Sequence, residues 1–231
     1  MVVWDRGKNE QVVSKTMSMV IEDGVTLSGT LYPSQGDTAV ILAHMMDSSQ
    51  ADWWEFASRT SGRGYALLTF DFRYNGKSEC KSSKSDPNNL KDILAAYDFL
   101  KEKGYKRLVC MGASLGGAAC LELSVERELA GLAILGGLFP PFWAKEYPQD
   151  LKSTSMPNLF IISDKNPHTF VIEETRKMYD TSLEPRQLKV FQTNAHGTDI
   201  FKTKDKEKLT TLLLDFLEEC MNSKVKVTHN L

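Results

Sequence analysis

The segment around Ser114 has the residue types and spacing of a serine nucleophile. It reads G-A-S-L-G over residues 112–116, follows an apolar strand-like run at 107–111 and leads directly into a helical pattern. A serine at such a turn is held in a strained conformation at a helix N-terminus, and its neighbours two residues away must lack side chains. A phosphate-binding loop would need another glycine spacing, and neither of the usual patterns occurs here.

A serine hydroxyl needs a general base, and His196 is the histidine best placed to be one. His44 ends a buried strand, His168 lies beside the expected acid region, and His229 belongs to the polar tail. His196 comes after the serine, behind the last predicted strand and before the last predicted helix, which is the order that a nucleophile turn of this type requires.

Three more segments accompany the serine turn, each at the end of a predicted strand. They read L-A-H-M-M at 42–46, D-F-R-Y-N-G-K-S at 71–78 and N-A-H-G-T at 194–198. In this order the four segments resemble the α/β-hydrolase superfamily over nearly the whole chain, and within it the small capless serine esterases of the carboxylesterase and dienelactone-hydrolase-like branch. The resemblance implies an oxyanion loop at His44 and a catalytic-histidine loop at His196.

The oxyanion hole needs two backbone N–H donors aimed at the tetrahedral intermediate. Leu115 follows the nucleophile and should supply one, while the resemblance assigns the other to Met46. Met45 stands where the family usually has glycine and adds apolar bulk to the pocket wall. His44 and Met45 are therefore expected to line the substrate pocket.

The residue that orients His196 has two candidates, Asp164 and Asn166. The resemblance predicts an acid in the segment after the strand at 158–163, and its usual pattern places Asn166 at the acid position. Asp164 is the nearest carboxylate and could reach His196 from a shifted loop. We favour Asp164; the alternative is a triad weakened by Asn166.

The rest of the chain alternates between two hydrophobic periods, which predicts a mostly parallel sheet with helices on both faces. A hairpin turn at Asp23-Gly24 joins the first two strands and would add an antiparallel edge. The predicted strands are 12–22, 25–32, 38–44, 66–72, 107–111, 129–135, 158–163 and 187–193, and the predicted helices are 49–62, 89–103, 115–128, 170–179 and 205–221.

The chain of 231 residues fits a single domain over 1–231. The segment 136–157 is short and aromatic, and in this fold it would form a lid whose Phe139, Phe142 and Trp143 line the pocket. Residues 222–231 are polar and are expected to form a loose tail. An aromatic cleft of this kind suits small to medium carboxylic esters.

Composition excludes several classes of partner. A net charge of −2 gives no general attraction to nucleic acid or anionic membranes, and no apolar run is long enough to span a bilayer. The N-terminal residues do not resemble a secretory leader, so the protein is expected to be intracellular or to have lost a leader. With the cysteines taken mainly as free thiols, the expected location is cytoplasmic.

We thus expect a cofactor-independent ester hydrolase with a small-molecule substrate; the sequence does not indicate an oligomeric state. The alternatives are a weakly active or non-catalytic relative that binds a small ligand, or a thioesterase, amidase or acyltransferase that uses the same site.

Overall fold

The computed structural model describes residues 13–21, 23–79, 89–137 and 156–223. Its strands are β1 (Lys15–Val20), β2 (Thr26–Tyr32), β3 (Thr38–Ala43), β4 (Tyr65–Phe70), β5 (Arg107–Ala113), β6 (Gly131–Leu135), β7 (Asn158–Ser163) and β8 (Arg186–Phe191). Its α-helices are α1 (Ala51–Thr60), α2 (Asn89–Glu102), α3 (Leu115–Glu126), α4 (Thr169–Thr181) and α5 (Lys206–Asn222). A 3₁₀ helix, Gly197–Lys202, which the sequence pattern did not predict, precedes α5.

The described strands form one sheet in the order β1-β2-β4-β3-β5-β6-β7-β8. The β1–β2 and β2–β4 pairs are antiparallel, and the remaining pairs are parallel. This confirms the predicted α/β fold with an antiparallel N-terminal edge. The ends of the central strands β3 and β5 lie side by side, with Ala43, the last residue of β3, opposite Gly112, the residue before the last of β5. Loops that follow these strands therefore meet at one edge of the sheet.

The helices cover both faces of the sheet, because the central strands are apolar on both sides. One face carries α2, α3 and α4, with Ile93, Leu121 and Met178 in its core. The other carries α1 and α5, where Trp53 and Leu213 are fully buried. Every residue of β3 and β4 is buried, as expected for strands covered on both faces.

The hairpin between β1 and β2 turns at Asp23-Gly24, as predicted. Gly24 has a φ of +79° and its N–H donates to the Ile21 carbonyl at 2.8 Å. Glycine adopts this left-handed conformation at little energetic cost, which is why the dipeptide favours a tight turn.

The strand predicted over 66–72 ends at Phe70, because Asp71 binds the loops around it instead. Its carboxylate accepts the Gln50 N–H at 2.8 Å and the Lys77 N–H at 3.0 Å. Gly76 packs so closely on this carboxylate that an added Cβ would lie 2.3 Å from it. The D-F-R-Y-N-G-K-S segment is therefore a scaffold that holds the loop after β4.

Two of the cysteines contradict the expectation of free thiols. Cys110 in β5 and Cys120 in α3 form a disulfide with their Cα atoms 5.7 Å apart. Cys220 is free and buried, and burial raises the pKa of its thiol. Cys80 lies outside the described residues. The disulfide encloses the serine turn, and it removes the basis on which a reducing compartment was inferred.

Removing this disulfide should lower the free energy of unfolding. A closed loop of this length restricts the unfolded chain by about 3 kcal/mol at room temperature. We expect the Cys110→Ala/Cys120→Ala variant to unfold at lower denaturant concentration, and dithiothreitol to shift the wild type in the same direction but not the variant. A wild-type midpoint that dithiothreitol leaves unchanged would contradict the prediction.

Candidate active site

The serine turn has the strained geometry that its sequence predicts. Ser114 lies between β5 and α3 with φ +51° and ψ −114°. A Cβ added to Gly112 would lie 2.2 Å from the Gly116 carbonyl oxygen, and one added to Gly116 would lie 2.4 Å from that of Ala43. Both flanking glycines are therefore needed for the chain to pass, and the turn presents Ser114 at the carboxyl edge of the sheet.

Helix α3 begins directly behind Ser114. The Ser114 N–H donates to the Leu135 carbonyl at 3.0 Å, and the Ser114 carbonyl accepts the Ala118 N–H at 3.1 Å. The first turn of an α-helix leaves N–H groups without intrahelical acceptors, so the Leu115 N–H lies next to the serine without an obligatory partner. Developing negative charge is favoured at this point.

The loop after β3 is held by the His44 ring. The Phe72 N–H donates to His44 Nε2 at 3.0 Å, so Nδ1 carries the proton and donates to the Met45 carbonyl at 2.6 Å. In a trans peptide, C=O and N–H point in opposite directions, and the N–H of Met46 is therefore directed away from the His44 ring. His44 is fully buried, which corrects its expected place in the substrate pocket.

Protonation of His44 would place a new donor against the Phe72 N–H. Burial is the largest cause that lowers the pKa of this ring below 6.5, outweighing opposite effects of the Met45 carbonyl, Asp71 and Asp52. The unfolded chain therefore binds a proton that the folded chain does not. We expect the free energy of unfolding to fall as pH drops below about 6.5. Chemical denaturation at several pH values measures this slope, which should be shallower in His44→Gln; equal slopes would contradict the prediction.

Asp52 joins the loops of the site, a role that sequence reasoning missed. Its carboxylate accepts hydrogen bonds from Ser48, in the loop after β3, and from Thr198 at 3.0 Å, in the 3₁₀ helix behind His196. Asp52 lies in the first turn of α1, where a carboxylate is also favoured by the helix dipole. An acidic residue at a helix start is too common to have indicated this bridge.

The loop of His196 packs on both the serine turn and the loop after β3. A Cβ added to Gly197 would lie 2.6 Å from Met45 Sδ and 3.1 Å from the Cβ of Ala113. The His196 ring also approaches Gly136, whose added Cβ would lie 3.3 Å from ring atoms Cε1 and Nδ1. Gly136 directly follows Leu135, the residue that binds the Ser114 N–H. The loop that carries His196 thus lies against the residues that flank Ser114.

Asn166, not Asp164, contacts the imidazole. Asn166 Nδ2 donates to His196 Nδ1 at 2.9 Å, and Asn166 Oδ1 accepts the His168 N–H at 3.0 Å. Asp164 is exposed, because its own N–H continues the β7–β8 pairing by donating to the Phe191 carbonyl. The preference for Asp164 was therefore wrong.

This contact determines where the His196 proton lies. The His168 N–H can only donate, so the amide oxygen of Asn166 must face it and the NH₂ group must face His196. Nδ1 of His196 is then an acceptor, and the neutral ring carries its proton on Nε2. A base that accepts the serine proton at Nε2 needs the opposite tautomer. The resting tautomer therefore does not suit general-base catalysis.

His196 is also unfavourable to protonate. Burial is the largest cause that lowers its pKa below 6.5, the neighbouring His168 adds to the effect, and Asp199 opposes it. An imidazolium would further place an N–H against the amide NH₂ of Asn166. Both effects favour the neutral ring.

Of the other predicted site residues, the structure describes Met45 and Met46. Met45 is partly buried beside Gly197, and Met46 is 53% exposed at the turn after β3. Phe139, Phe142 and Trp143, together with the predicted lid, lie outside the described residues, as does most of the predicted tail.

Within the described part of the chain, no group of three or more His, Cys, Asp or Glu side chains is placed to hold a metal ion. No described helix is long and apolar enough to cross a membrane.

Comparison with known proteins connects this geometry to a family. A family model described as an alpha/beta hydrolase domain matches residues 36–214. The uncharacterised protein YfhR of Escherichia coli K12 is 23% identical over 236 residues, which cover 90% of this chain and 82% of YfhR. A carboxylesterase of Bacillus subtilis is 28% identical over 98 residues, or 42% of this chain and 40% of that protein.

A similar solved structure is that of the Pyrococcus furiosus esterase Pf2001. It superposes with a TM-score of 0.71 at 23% sequence identity, covering 90% of this chain and 93% of the esterase. At this identity the likeness is one of fold.

Proposed function

The chain belongs to the alpha/beta hydrolase family, and on that premise we propose that it cleaves small to medium carboxylic esters through an acyl-enzyme on Ser114. The observation that supports this most is the strained Ser114 turn at the start of α3, with the His196 loop packed against it. A strained backbone at one polar residue is kept where its position serves chemistry.

In the proposed reaction, Ser114 Oγ attacks the ester carbonyl while His196 Nε2 takes its proton. The N–H groups of Leu115 and Met46 bind the oxyanion, and the tetrahedral intermediate collapses when His196 returns the proton to the leaving alcohol. Water then attacks the acyl group, assisted by His196, and releases the carboxylic acid. The sequence of steps uses no cofactor. Thioesters, amides and acyl transfer would use the same groups.

The Asn166 contact sets the expected rate of these steps. Proton acceptance at Nε2 requires His196 to shift to its Nδ1–H tautomer, which places two donors against each other at Asn166. Turnover should therefore be slow, with the oxyanion donors and substrate binding supplying most of the remaining acceleration. The same observation supports a second candidate function, in which the site binds a small ligand with little or no turnover.

An organophosphorus ester tests the nucleophile without requiring turnover, because a single attack by the serine, even a slow one, leaves a stable adduct. We expect mass spectrometry to find one adduct, on the peptide that contains Ser114, in the wild type. The adduct should persist in Ser58→Ala, a control on helix α1, and disappear in Ser114→Ala. Labelling that Ser114→Ala leaves unchanged would contradict the proposal, as would an unlabelled Asn166→Asp variant.

A further inference from the structure

Phe170 is an exposed aromatic side chain close to the proposed base. It is the second residue of α4, and its side chain is 53% exposed. Its ring centroid lies 5.9 Å from that of His168, and the His168 centroid lies 5.5 Å from that of His196 in an edge-to-face arrangement. The three rings form a continuous path from the imidazole of the site to the surface.

Backbone hydrogen bonds hold the segment that carries these rings. The His168 N–H is bound to Asn166, and the Val171 N–H donates to the His168 carbonyl at 2.9 Å. Val171 is buried and packs at the same Gly136 that contacts His196, with its Cγ1 3.5 Å from the position of an added Cβ. The first turn of α4 therefore lies next to the His196 ring, with the His168 and Phe170 side chains on its exposed side.

The Phe170 ring is available to contact a bound molecule. Phe170 leaves about half of its surface in water, whereas Val171 beside it is buried. Aromatic rings bind another ring edge to face or in offset stacks, and such pairs are stabilised beyond the burial of their area. The pair of Phe170 and His168 can thus accept a flat apolar group.

We propose that Phe170 and His168 form an aromatic edge that determines substrate specificity by binding an aromatic group of the ester. The inference rests on the proposed function and names the substrate class of that site. In this proposal, an aromatic group of an ester bound at Ser114 is directed toward the His168 and Phe170 rings, and a short alkyl group offers no ring for them to contact. Esters with an aromatic acyl or alcohol part are therefore preferred over ethyl acetate.

Three substrates test the edge: benzyl acetate and ethyl phenylacetate, which carry the ring on opposite sides of the ester, and ethyl acetate. Acid release can be followed by titration. In Phe170→Ala we expect kcat/KM to fall about five- to tenfold for at least one aromatic ester, mainly through KM, and less than about twofold for ethyl acetate. Leu183→Ala is the matched control, since Leu183 is an exposed apolar residue just beyond the opposite end of α4.

A second readout needs no turnover. Benzyl alcohol should slow organophosphorus labelling of Ser114 in the wild type, and this protection should be lost in Phe170→Ala but kept in Leu183→Ala. Equal losses for aromatic and ethyl esters, or unchanged protection, would overturn the aromatic edge while leaving the esterase proposal intact. Absence of both labelling and ester hydrolysis in the wild type and in Asn166→Asp would instead overturn the proposed function.

Discussion

Asn166→Asp should raise kcat for ester hydrolysis by about a hundred- to ten-thousand-fold. The upper value is the effect of the reverse change in a serine protease, where asparagine holds the imidazole in the wrong tautomer. Here the surroundings already suit a carboxylate: one oxygen would keep the His168 N–H, and the other would accept the His196 Nδ1–H. His196 would then present an unprotonated Nε2 to Ser114.

The measurement is the steady-state hydrolysis of a short-chain aryl ester, with its pH profile. The new negative charge favours the imidazolium, so the acid limb of kcat/KM should also move to higher pH in the variant. Asp164→Asn is the control, because Asp164 is exposed and should leave the rate unchanged. No gain in Asn166→Asp would mean that Asn166 does not hold His196 in the unsuitable tautomer. A loss of activity in Asp164→Asn would show that Asp164 contributes to catalysis.

Local chemistry made the serine turn predictable. The steric need for glycine at 112 and 116 involves neighbours in sequence and the directly adjacent end of β3, so a strand–turn–helix pattern is sufficient to recognise it. Likewise, the order of segments along the chain predicted the His196 loop. The hydrophobic periods predicted the sheet. These features depend on short segments or on repeated patterns, both of which are visible in one sequence.

The acid position and the disulfide depended on contacts between distant segments. Backbone pairing of β7 and β8 continues past the strand end, where the Asp164 N–H donates to Phe191, and this leaves Asp164 in solvent and Asn166 inward. Likewise, Cys110 and Cys120 lie in a strand and a helix whose packing brings their Cα atoms within 5.7 Å. Residue spacing alone does not specify either arrangement.

The Ser114→Ala substitution should remove the covalent route and leave only the catalysis supplied by the oxyanion donors and substrate binding. Its expected size depends on residue 166. In a serine protease whose triad members were removed singly, loss of the serine cost about 2 × 10⁶ in kcat and loss of the aspartate about 3 × 10⁴, a ratio of roughly seventy. With Asn166 present, the triad already lacks its acid, so Ser114→Ala should cost only about a hundredfold.

The same substitution made together with Asn166→Asp separates the roles of the two positions. A carboxylate that acts only by orienting His196 toward Ser114 has nothing to improve once the serine is absent. We therefore expect Ser114→Ala and Ser114→Ala/Asn166→Asp to share one residual rate, so that the serine loss is larger in the aspartate background by the full gain of Asn166→Asp.

Hydrolysis rates of the four proteins of this cycle, each checked for native unfolding behaviour, give the coupling between the positions. If Asn166→Asp still accelerated hydrolysis without Ser114, the carboxylate would be activating water through His196 rather than activating the serine. If Ser114→Ala changed nothing in either background, the strained turn would serve only to bind a ligand. Only a coupling nearly equal to the gain of Asn166→Asp supports a serine hydrolase whose weak point is one amide in place of a carboxylate.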